Sequence, residues 1–299
     1  MGFFKRHSGR ASYNLLANYD YFMPGYTDIL LVIILMALGS YLGSIIVNSF
    51  TIGDPTLDSK KYVMLIAYPL QFLPAMIFAS TKSRRNEGFE DGYTLDINNF
   101  GSHKSLTMAF TAIVLSISCA IVVDPVSMLL PEMPEEIKKV METMVEGPIL
   151  VSFISASIFA PFFEEWLCRG IILRGLLKKV SPTWAIVLSA LFFAIMHVNP
   201  WQALPAFLIG LVLGYVYYKT GSLKLTMLMH FANNTMAVII SNIPSLKDAE
   251  YFSDILSPWA YVGIYALAVI ALTSGIIFLK DIPQKEGNLG GCQKIPSIF

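Results

Sequence analysis

Residues 162–169 read Phe-Phe-Glu-Glu-Trp-Leu-Cys-Arg, so that two adjacent carboxylates and a guanidinium interrupt a long apolar run. An ionised side chain at the depth of a lipid bilayer is costly, so such groups usually face the protein interior or a hydrated cavity. Helical spacing predicts that Glu165 pairs with Arg169 four residues later, whereas Glu164 lies about 100° round the helix. The stretch therefore predicts a buried ion pair beside a carboxylate that is free for chemistry.

The composition of the chain indicates an integral, multi-pass membrane protein. The 299 residues have a mean hydropathy of +0.60 and only 14% charged residues, where soluble domains carry about 25%. The formal net charge is zero and no basic block is interleaved with aromatic residues, so nothing indicates nucleic-acid binding. The three cysteines are odd in number and lack Cys-x-x-Cys spacing, which disfavours a disulfide framework or a thiolate zinc site.

Hydropathy predicts an all-α fold of about eight transmembrane helices, because a span needs ~20 apolar residues. The predicted spans are 29–50, 62–80, 105–123, 148–177, 183–198, 201–218, 225–242 and 258–279. A turn is predicted at 53–55, and an acidic amphipathic segment at 131–146 is predicted to lie on the membrane surface. The predicted domains are an N-terminal tail (1–28), a helical domain (29–280) with a catalytic core (148–242), and a mobile C-terminal tail (281–299).

Lysine and arginine residues predict the orientation in the membrane. With the N-terminus inside, most of them, including Arg84, Arg85, Lys178 and Lys179, fall on the cytoplasmic side, as the positive-inside rule requires. Both tails are therefore predicted to be cytoplasmic (N-in and C-in). The expected location is the cell membrane if the source is bacterial, with the polar site opening toward the cytoplasmic side.

Three further polar residues lie within the predicted spans. His197 ends the fifth span, and His230 and Asn234 share one face of the seventh. Each alone is more often a structural, hydrogen-bonded residue. Counted from the cytoplasmic turns at 1.5 Å per residue, Glu164 and His197 both lie ~22 Å deep, whereas His230 lies only ~9 Å deep. Depth therefore predicts that Glu164 meets His197 and leaves the position of His230 unexplained.

Together these residue types supply the parts for amide hydrolysis by an activated water. Glu164 suits a general base, His197 can orient the water, and His230 with Asn234 can donate to a carbonyl oxygen as negative charge develops on it. Pro161 removes a backbone hydrogen bond and is predicted to kink the helix where water enters.

Other protease mechanisms leave no motif in the sequence. There is no His-Glu-x-x-His pair of zinc ligands and no Gly-x-Ser-x-Gly nucleophile. A zinc site formed by Glu164, His197 and His230 is an open alternative. A site without metal is favoured, because the four polar residues already fill every role that hydrolysis requires.

The motifs Glu164-Glu165-x-x-x-Arg169, Phe193-x-x-x-His197 and His230-x-x-x-Asn234 resemble, in order and spacing, those of the CPBP intramembrane proteases (CAAX proteases and bacteriocin-processing enzymes, the Abi family). The resemblance covers about residues 148–242. It implies an eight-helix membrane protease related to the type II CAAX prenyl endopeptidases.

Residue by residue, the resemblance implies that Glu164 activates the water and His197 helps to hold it. It implies that His230 and Asn234 stabilise the oxyanion, and that Glu165 and Arg169 form a structural ion pair. Many members of the family are classed as metalloproteases, so the resemblance leaves metal dependence open.

The leading hypothesis is therefore a hydrolase, an intramembrane endopeptidase that cleaves a membrane-embedded or prenylated, CAAX-like peptide or protein within the lipid bilayer. A non-catalytic immunity or scaffold protein of the same fold is the alternative. A transporter is disfavoured because no paired inverted repeat is visible. In the remaining interpretation, the charged residues only hold helices together.

Overall fold

The computed structural model describes residues 15–52, 57–145, 148–246, 249 and 251–296. Helices account for most of the described residues, which contain no β-strand, and this confirms the all-α fold. The predicted turn at 53–55 and the first fourteen residues of the N-terminal tail lie outside the described residues. The helices are α1 (Tyr26–Thr51), α2 (Leu57–Asn86), α3 (Ser105–Ser127), α4 (Glu135–Val145), α5 (Ile149–Leu177), α6 (Pro182–Ile195), α7 (Pro200–Thr220), α8 (Leu223–Ser241), α9 (Phe252–Ile255) and α10 (Pro258–Lys280).

The long helices have the properties of membrane spans. Six of the described helices, α1, α2, α3, α5, α7 and α10, are long and apolar enough to cross a bilayer, yet only 22% of the apolar window of α1 and 17% of that of α10 is buried. Apolar surface of this extent needs lipid to cover it, so the protein is a polytopic membrane protein. α6 has only 14 residues, and α8 carries imidazole and amide groups near its middle. The count of eight spans and the N-in, C-in orientation therefore remain predictions.

Two large hydrophobic clusters, besides a small one around Cys168, hold the bundle together. One joins the C-terminal half of α5 to α2 and to the segment before α1, and the other joins α3, α7, α8 and α10. α1 packs closely along α2 at Gly39, where an added Cβ would lie 2.5 Å from the carbonyl oxygens of Leu70 and Gln71. Pro74 has no N–H to donate to Leu70, so this carbonyl is free to face α1.

A buried arginine near the end of α5 binds the segment before α1 and the loop between α2 and α3. Arg174 is fully buried. Its Nη1 donates to the carbonyl oxygen of Tyr93 (2.6 Å), and its Nη2 donates to the carbonyl oxygens of Tyr19 (2.8 Å) and Phe22 (2.9 Å). The N-terminal segment and the loop between α2 and α3 are thereby fixed to the same end of the bundle.

The C-terminal segment packs against that end as well. Cys292 is fully buried, the Gly291 N–H donates to the carbonyl oxygen of Tyr218 (2.6 Å), and Lys294 forms a β-bridge with Tyr93. The prediction of a mobile tail is therefore wrong for residues 281–296. The polar composition of the tail suggested mobility, but its backbone groups find partners on α7 and on the α2–α3 loop.

The Asp20 carboxylate makes the stability of the fold depend on pH. It accepts the Leu95 N–H at 2.9 Å, and burial raises its pKa from 3.8 to about 6, although that hydrogen bond and the nearby Arg174 lower it. The folded protein therefore holds this proton more tightly than the unfolded chain. The contribution of Asp20 favours the fold at low pH and is lost as pH rises from about 4 to about 6.

We expect Asp20→Asn, which keeps an oxygen acceptor for Leu95, to unfold at a higher temperature than the wild type above pH 7. The difference between the two should shrink as the pH falls toward 4, because Asp20 is then protonated. Thermal unfolding in detergent across this pH range measures it, with exposed Asp281→Asn as the control. Parallel pH profiles for wild type and D20N would contradict the assignment.

Candidate active site

A fully buried ion pair lies at the centre of the candidate site. Arg169 Nη1 donates to Glu165 Oε1 at 2.7 Å, and both side chains have no exposed surface. Arg169 Nη2 also donates to the carbonyl oxygen of Gly210 on α7 (3.1 Å), and the guanidinium lies 4.6 Å from the centre of the Phe193 ring on α6. The pair, which has the spacing of four residues noted in the sequence, therefore connects α5 to α6 and α7.

His230 is the third member of this network. Its Nδ1–H donates to Glu165 Oε1 at 3.1 Å, the same oxygen that accepts from Arg169. Its other nitrogen, Nε2, lies 3.9 Å from Glu164 Oε2. Glu165 thus orients His230 besides pairing with Arg169, a second role that sequence spacing did not reveal. A carboxylate on Nδ1 fixes which imidazole nitrogen faces the reacting groups.

Glu164 points to a different neighbour from Glu165. Its Oε1 accepts a hydrogen bond from the Tyr68 hydroxyl on α2 at 2.8 Å, and its side chain is 15% exposed. The separation of the two carboxylates round the helix matches the sequence analysis. Tyr68 was missed, because the only signal in the sequence is a polar aromatic residue in an apolar span, and nothing there shows which helix it meets.

His197 lies beyond the end of α6, and its contacts are with Phe193. Its Nδ1 lies 2.9 Å from the carbonyl oxygen of Phe193. The Phe193 ring stands edge-to-face to His197 (5.0 Å between centroids) and to His230 (5.5 Å). The described ion-pair contacts of Glu164 and Glu165 involve Arg169 and His230, and not His197. The contact between Glu164 and His197 that depth predicted is therefore not formed.

A strained turn fixes the position of His197. Val198 has φ 63°, a conformation that is unfavourable for a β-branched residue. The Asn199 N–H donates to the carbonyl oxygen of His197 at 2.8 Å, and the Asn199 side chain accepts from the Gln202 N–H at the start of α7. Strain of this kind is found at functional sites, where the surroundings hold it in place.

The meeting of His230 with the carboxylates follows from a stagger between α5 and α8. Gly170 on α5 faces Leu223, the first residue of α8, such that an added Cβ would lie 3.4 Å from the Leu223 side chain. Glu165 lies just over one helical turn above Gly170, and His230 about two turns above Leu223. α8 therefore begins at the level of Gly170 and not at the level of the C-terminal end of α5. This offset brings His230 to the level of the carboxylates, although counting residues from the turns placed it about 13 Å less deep.

Asn234 bonds to α5. Residues Phe153–Phe159 are π-helical, with the Ala160 N–H donating to the carbonyl oxygen of Ser155. The corresponding partner of the Ala156 carbonyl would be Pro161, which has no N–H. Asn234 Nδ2 donates to this carbonyl instead, at 2.8 Å. One amide hydrogen of Asn234 thus replaces the bond that Pro161 removes, and the oxyanion role of Asn234 stays a prediction.

The zinc alternative stays open. Among the residues that the structure describes, no three His, Cys, Asp or Glu side chains are grouped to hold a metal. His230 Nδ1 contacts Glu165 and His197 Nδ1 contacts the Phe193 carbonyl oxygen, and contacts of this kind also orient histidines that bind a metal through Nε2. Cys168 is fully buried, with its Sγ 3.9 Å from Met196 Sδ.

The residues around the carboxylates differ in their exposure. Residues Trp166–Leu173, which follow the carboxylates toward the end that holds both termini, are all buried. Glu164 and His197, on the opposite side, are partly exposed. The N-in, C-in orientation and the side of the membrane to which the site opens stay predictions.

The described cavities lie elsewhere. One of about 510 Å³ is lined by residues that include Asp28, Phe78 and Lys82, and one of about 340 Å³ by residues that include Leu73 and Arg84. Both border α2 near its C-terminal end. Neither of these two cavities is lined by Glu164 or His230.

Comparison with known proteins supports a protease relationship for this part of the chain. Residues 146–236 match the type II CAAX prenyl endopeptidase Rce1-like family. A Bacillus subtilis (strain 168) protein named "Putative membrane peptidase YdiL" is 26% identical over 110 residues, which is 37% of this chain and 44% of that protein. The chain thus matches less than half the length of this relative. No solved structure matches the chain.

The matched segment contains all three motifs noted in the sequence, and it builds the network of Glu164, Glu165, Arg169 and His230. These matches support a relationship of this segment to the CPBP and CAAX proteases, which include the type II CAAX prenyl endopeptidases.

Proposed function

We propose that this protein is an intramembrane endopeptidase in which Glu164 activates a water molecule. The observation that carries the proposal is the 3.9 Å separation of Glu164 Oε2 from His230 Nε2. This distance is too long for a direct hydrogen bond and suits one water bonded to both atoms. The aromatic rings around Glu164 give this carboxylate apolar surroundings.

The proposed reaction is a direct hydrolysis. Glu164 Oε2 takes a proton from the water as the water oxygen bonds to the carbonyl carbon, and the carbonyl π electrons move to its oxygen. The tetrahedral intermediate then collapses, the carbon–nitrogen bond breaks, and Glu164 returns the proton to the leaving amine. The products are a carboxylic acid and an amine, and Glu164 is again ionised.

His230 has the second role in this scheme. With Nδ1–H held by Glu165, the neutral imidazole presents Nε2 as a hydrogen-bond acceptor for the water. Nε2 donates to the developing oxyanion only when it also carries a proton. Asn234 retains one amide hydrogen beyond the one bonded to Ala156, and that hydrogen is the proposed donor to the oxyanion. No step is assigned to a metal.

The proposed substrate is a membrane-embedded or lipidated peptide. Phe159 and Phe163 line the approach to Glu164 together with Tyr68, and an apolar wall of this kind suits a segment that enters from lipid. The proposed entrance is on the side away from both termini.

The test uses purified protein in lipid vesicles and two sets of internally quenched fluorescent peptides. One set consists of single transmembrane segments and the other of C-terminally farnesylated peptides. Cleavage of either set supports the proposal, and the set that is cleaved identifies the substrate class. No cleavage of either set would favour a non-catalytic scaffold. In a parallel sample treated with a strong chelator, we expect activity to persist, and loss of activity that zinc restores would replace the metal-free scheme.

The two histidines should differ in importance. We expect His230→Ala to lower kcat about a hundredfold, because His230 contacts the proposed water, and His197→Ala to lower it by less than about tenfold. The same peptide assay measures both, and His103→Ala in the α2–α3 loop is the control. A larger loss in H197A than in H230A would return the water-holding role to His197.

A further inference from the structure

We propose that Tyr68 is a positioning residue that holds Glu164 in its reactive orientation. This inference rests on the proposed function of Glu164, and it adds a residue from α2, outside the segment that matches the protease family. The Tyr68 hydroxyl donates to Glu164 Oε1 at 2.8 Å. It is the only hydrogen bond that the Glu164 carboxylate receives from a described residue, whereas Glu165 is held by both Arg169 and His230.

The two oxygens of Glu164 are thereby given different roles. Oε1 is occupied by Tyr68, and Oε2 remains directed toward His230. A glutamate side chain has three rotatable bonds, and a general base must point at the proton it removes. A hydrogen bond from a neutral hydroxyl to a carboxylate is stronger than one between neutral groups. The Tyr68 contact therefore selects the rotamer that presents Oε2 to the water.

The Tyr68 ring is itself held in place by other rings. It lies 5.7 Å from Phe72, 6.5 Å from Phe159 and 6.3 Å from Phe163 between ring centres, and Phe72 stacks on Phe163 at 5.0 Å. A buried tyrosine hydroxyl needs a hydrogen-bond partner, and Glu164 supplies it.

α2 carries this tyrosine on a backbone that is fixed to α1. The close approach at Gly39 and Gly43 joins the two helices, while α2 reaches the catalytic segment through its contacts with residues 153–159 and the start of α5. A shift of the α1–α2 pair therefore moves the Tyr68 hydroxyl relative to Glu164. The first two helices, which carry none of the family motifs, thereby influence the reactive group.

The decisive comparison is between Tyr68→Phe and Tyr62→Phe. Y68F keeps the ring and removes the hydroxyl, and Y62F removes the hydroxyl of an exposed tyrosine on the same helix. We expect Y68F to lower kcat about 10- to 100-fold, the effect of losing a hydrogen bond to a charged group. KM should change by less than about twofold, because Tyr68 contacts the base and not the substrate. Thermal unfolding in detergent should match the wild type, and Y62F should match it in every respect.

Infrared spectroscopy provides a readout that needs no substrate. The band that is present in wild type and absent from Glu164→Gln reports the Glu164 carboxyl group. We expect this band to shift in Y68F and to stay in place in Y62F.

The outcomes separate this inference from the proposed function. If the wild type cleaves peptides, E164Q is inactive, and Y68F leaves both kcat and the infrared band unchanged, the role of Tyr68 is wrong and the peptidase stands. If no peptide is cleaved, the peptidase proposal fails, and a band that does not move in Y68F overturns the hydrogen bond as well. A KM increase with unchanged kcat would instead assign Tyr68 to substrate binding.

Discussion

Glu164→Gln should abolish peptide cleavage, with kcat about a thousandfold or more below that of the wild type. Glutamine has nearly the same shape and keeps an oxygen that accepts from Tyr68, but it cannot take a proton from water at neutral pH. The fold should be unaffected, because Glu164 takes no part in the buried ion pair of Glu165 with Arg169. The vesicle assay with quenched peptides measures the activity, and thermal unfolding in detergent measures the stability.

The control for this variant is Glu87→Gln in the exposed turn that follows α2, which makes the same chemical change far from the site. E87Q should cleave peptides at the wild-type rate. If E164Q is as active as E87Q, Glu164 is not the base and the proposed reaction is wrong. If E164Q is inactive but also unfolds at a much lower temperature, the loss reflects the fold, and Glu164→Asp then tests whether a displaced carboxylate restores part of the rate.

Arg169→Met should destabilise the protein by roughly 3–5 kcal/mol, the cost of leaving one member of a buried ion pair without its partner. Arg169 and Glu165 have no exposed surface, and the arginine also bonds the carbonyl oxygen of Gly210 and lies over the Phe193 ring. Methionine fills a similar volume but leaves the Glu165 charge with His230 alone. The expected observation is a low yield in membranes and a much lower unfolding temperature in detergent.

A double variant distinguishes the electrostatic cause from lost packing. Glu165→Gln combined with R169M removes both charges, and the glutamine oxygen still accepts from His230 Nδ1. We expect the double variant to regain part of the lost stability. Arg85→Met, at the exposed end of α2, is the control and should be neutral. An unfolding temperature for R169M equal to that of R85M would show that the buried pair contributes little.

Much of the helical architecture could be predicted, because membrane spans must be long, apolar and internally hydrogen-bonded. All eight predicted spans correspond to helices, although α6 ends at Ile195 and His197 lies in the turn beyond it. The division between Glu164 and Glu165 was also predictable, since adjacent helical residues point in different directions. The C-terminal tail was not, because its packing depends on partners from distant parts of the chain.

The depths counted from the sequence were wrong for both histidines. Such counting assumes that every span is a straight α-helix and that all spans start at the same level. α5 instead contains two π-helical segments, Phe153–Phe159 and Trp166–Leu173, and α8 starts level with Gly170. His230 consequently reaches the carboxylates, while the Phe193 ring contacts both His230 and His197.

By itself the sequence determined that this is a helical membrane protein with a buried Glu165–Arg169 pair and with Glu164 on another face, because hydropathy and helical periodicity are local properties. The tertiary structure alone decided that Glu165 also orients His230, that Asn234 serves the carbonyl that Pro161 leaves without a donor, and that Tyr68 holds Glu164. These contacts join residues far apart in the chain. Their formation depends on the relative level and rotation of neighbouring helices, which packing sets and sequence spacing does not encode.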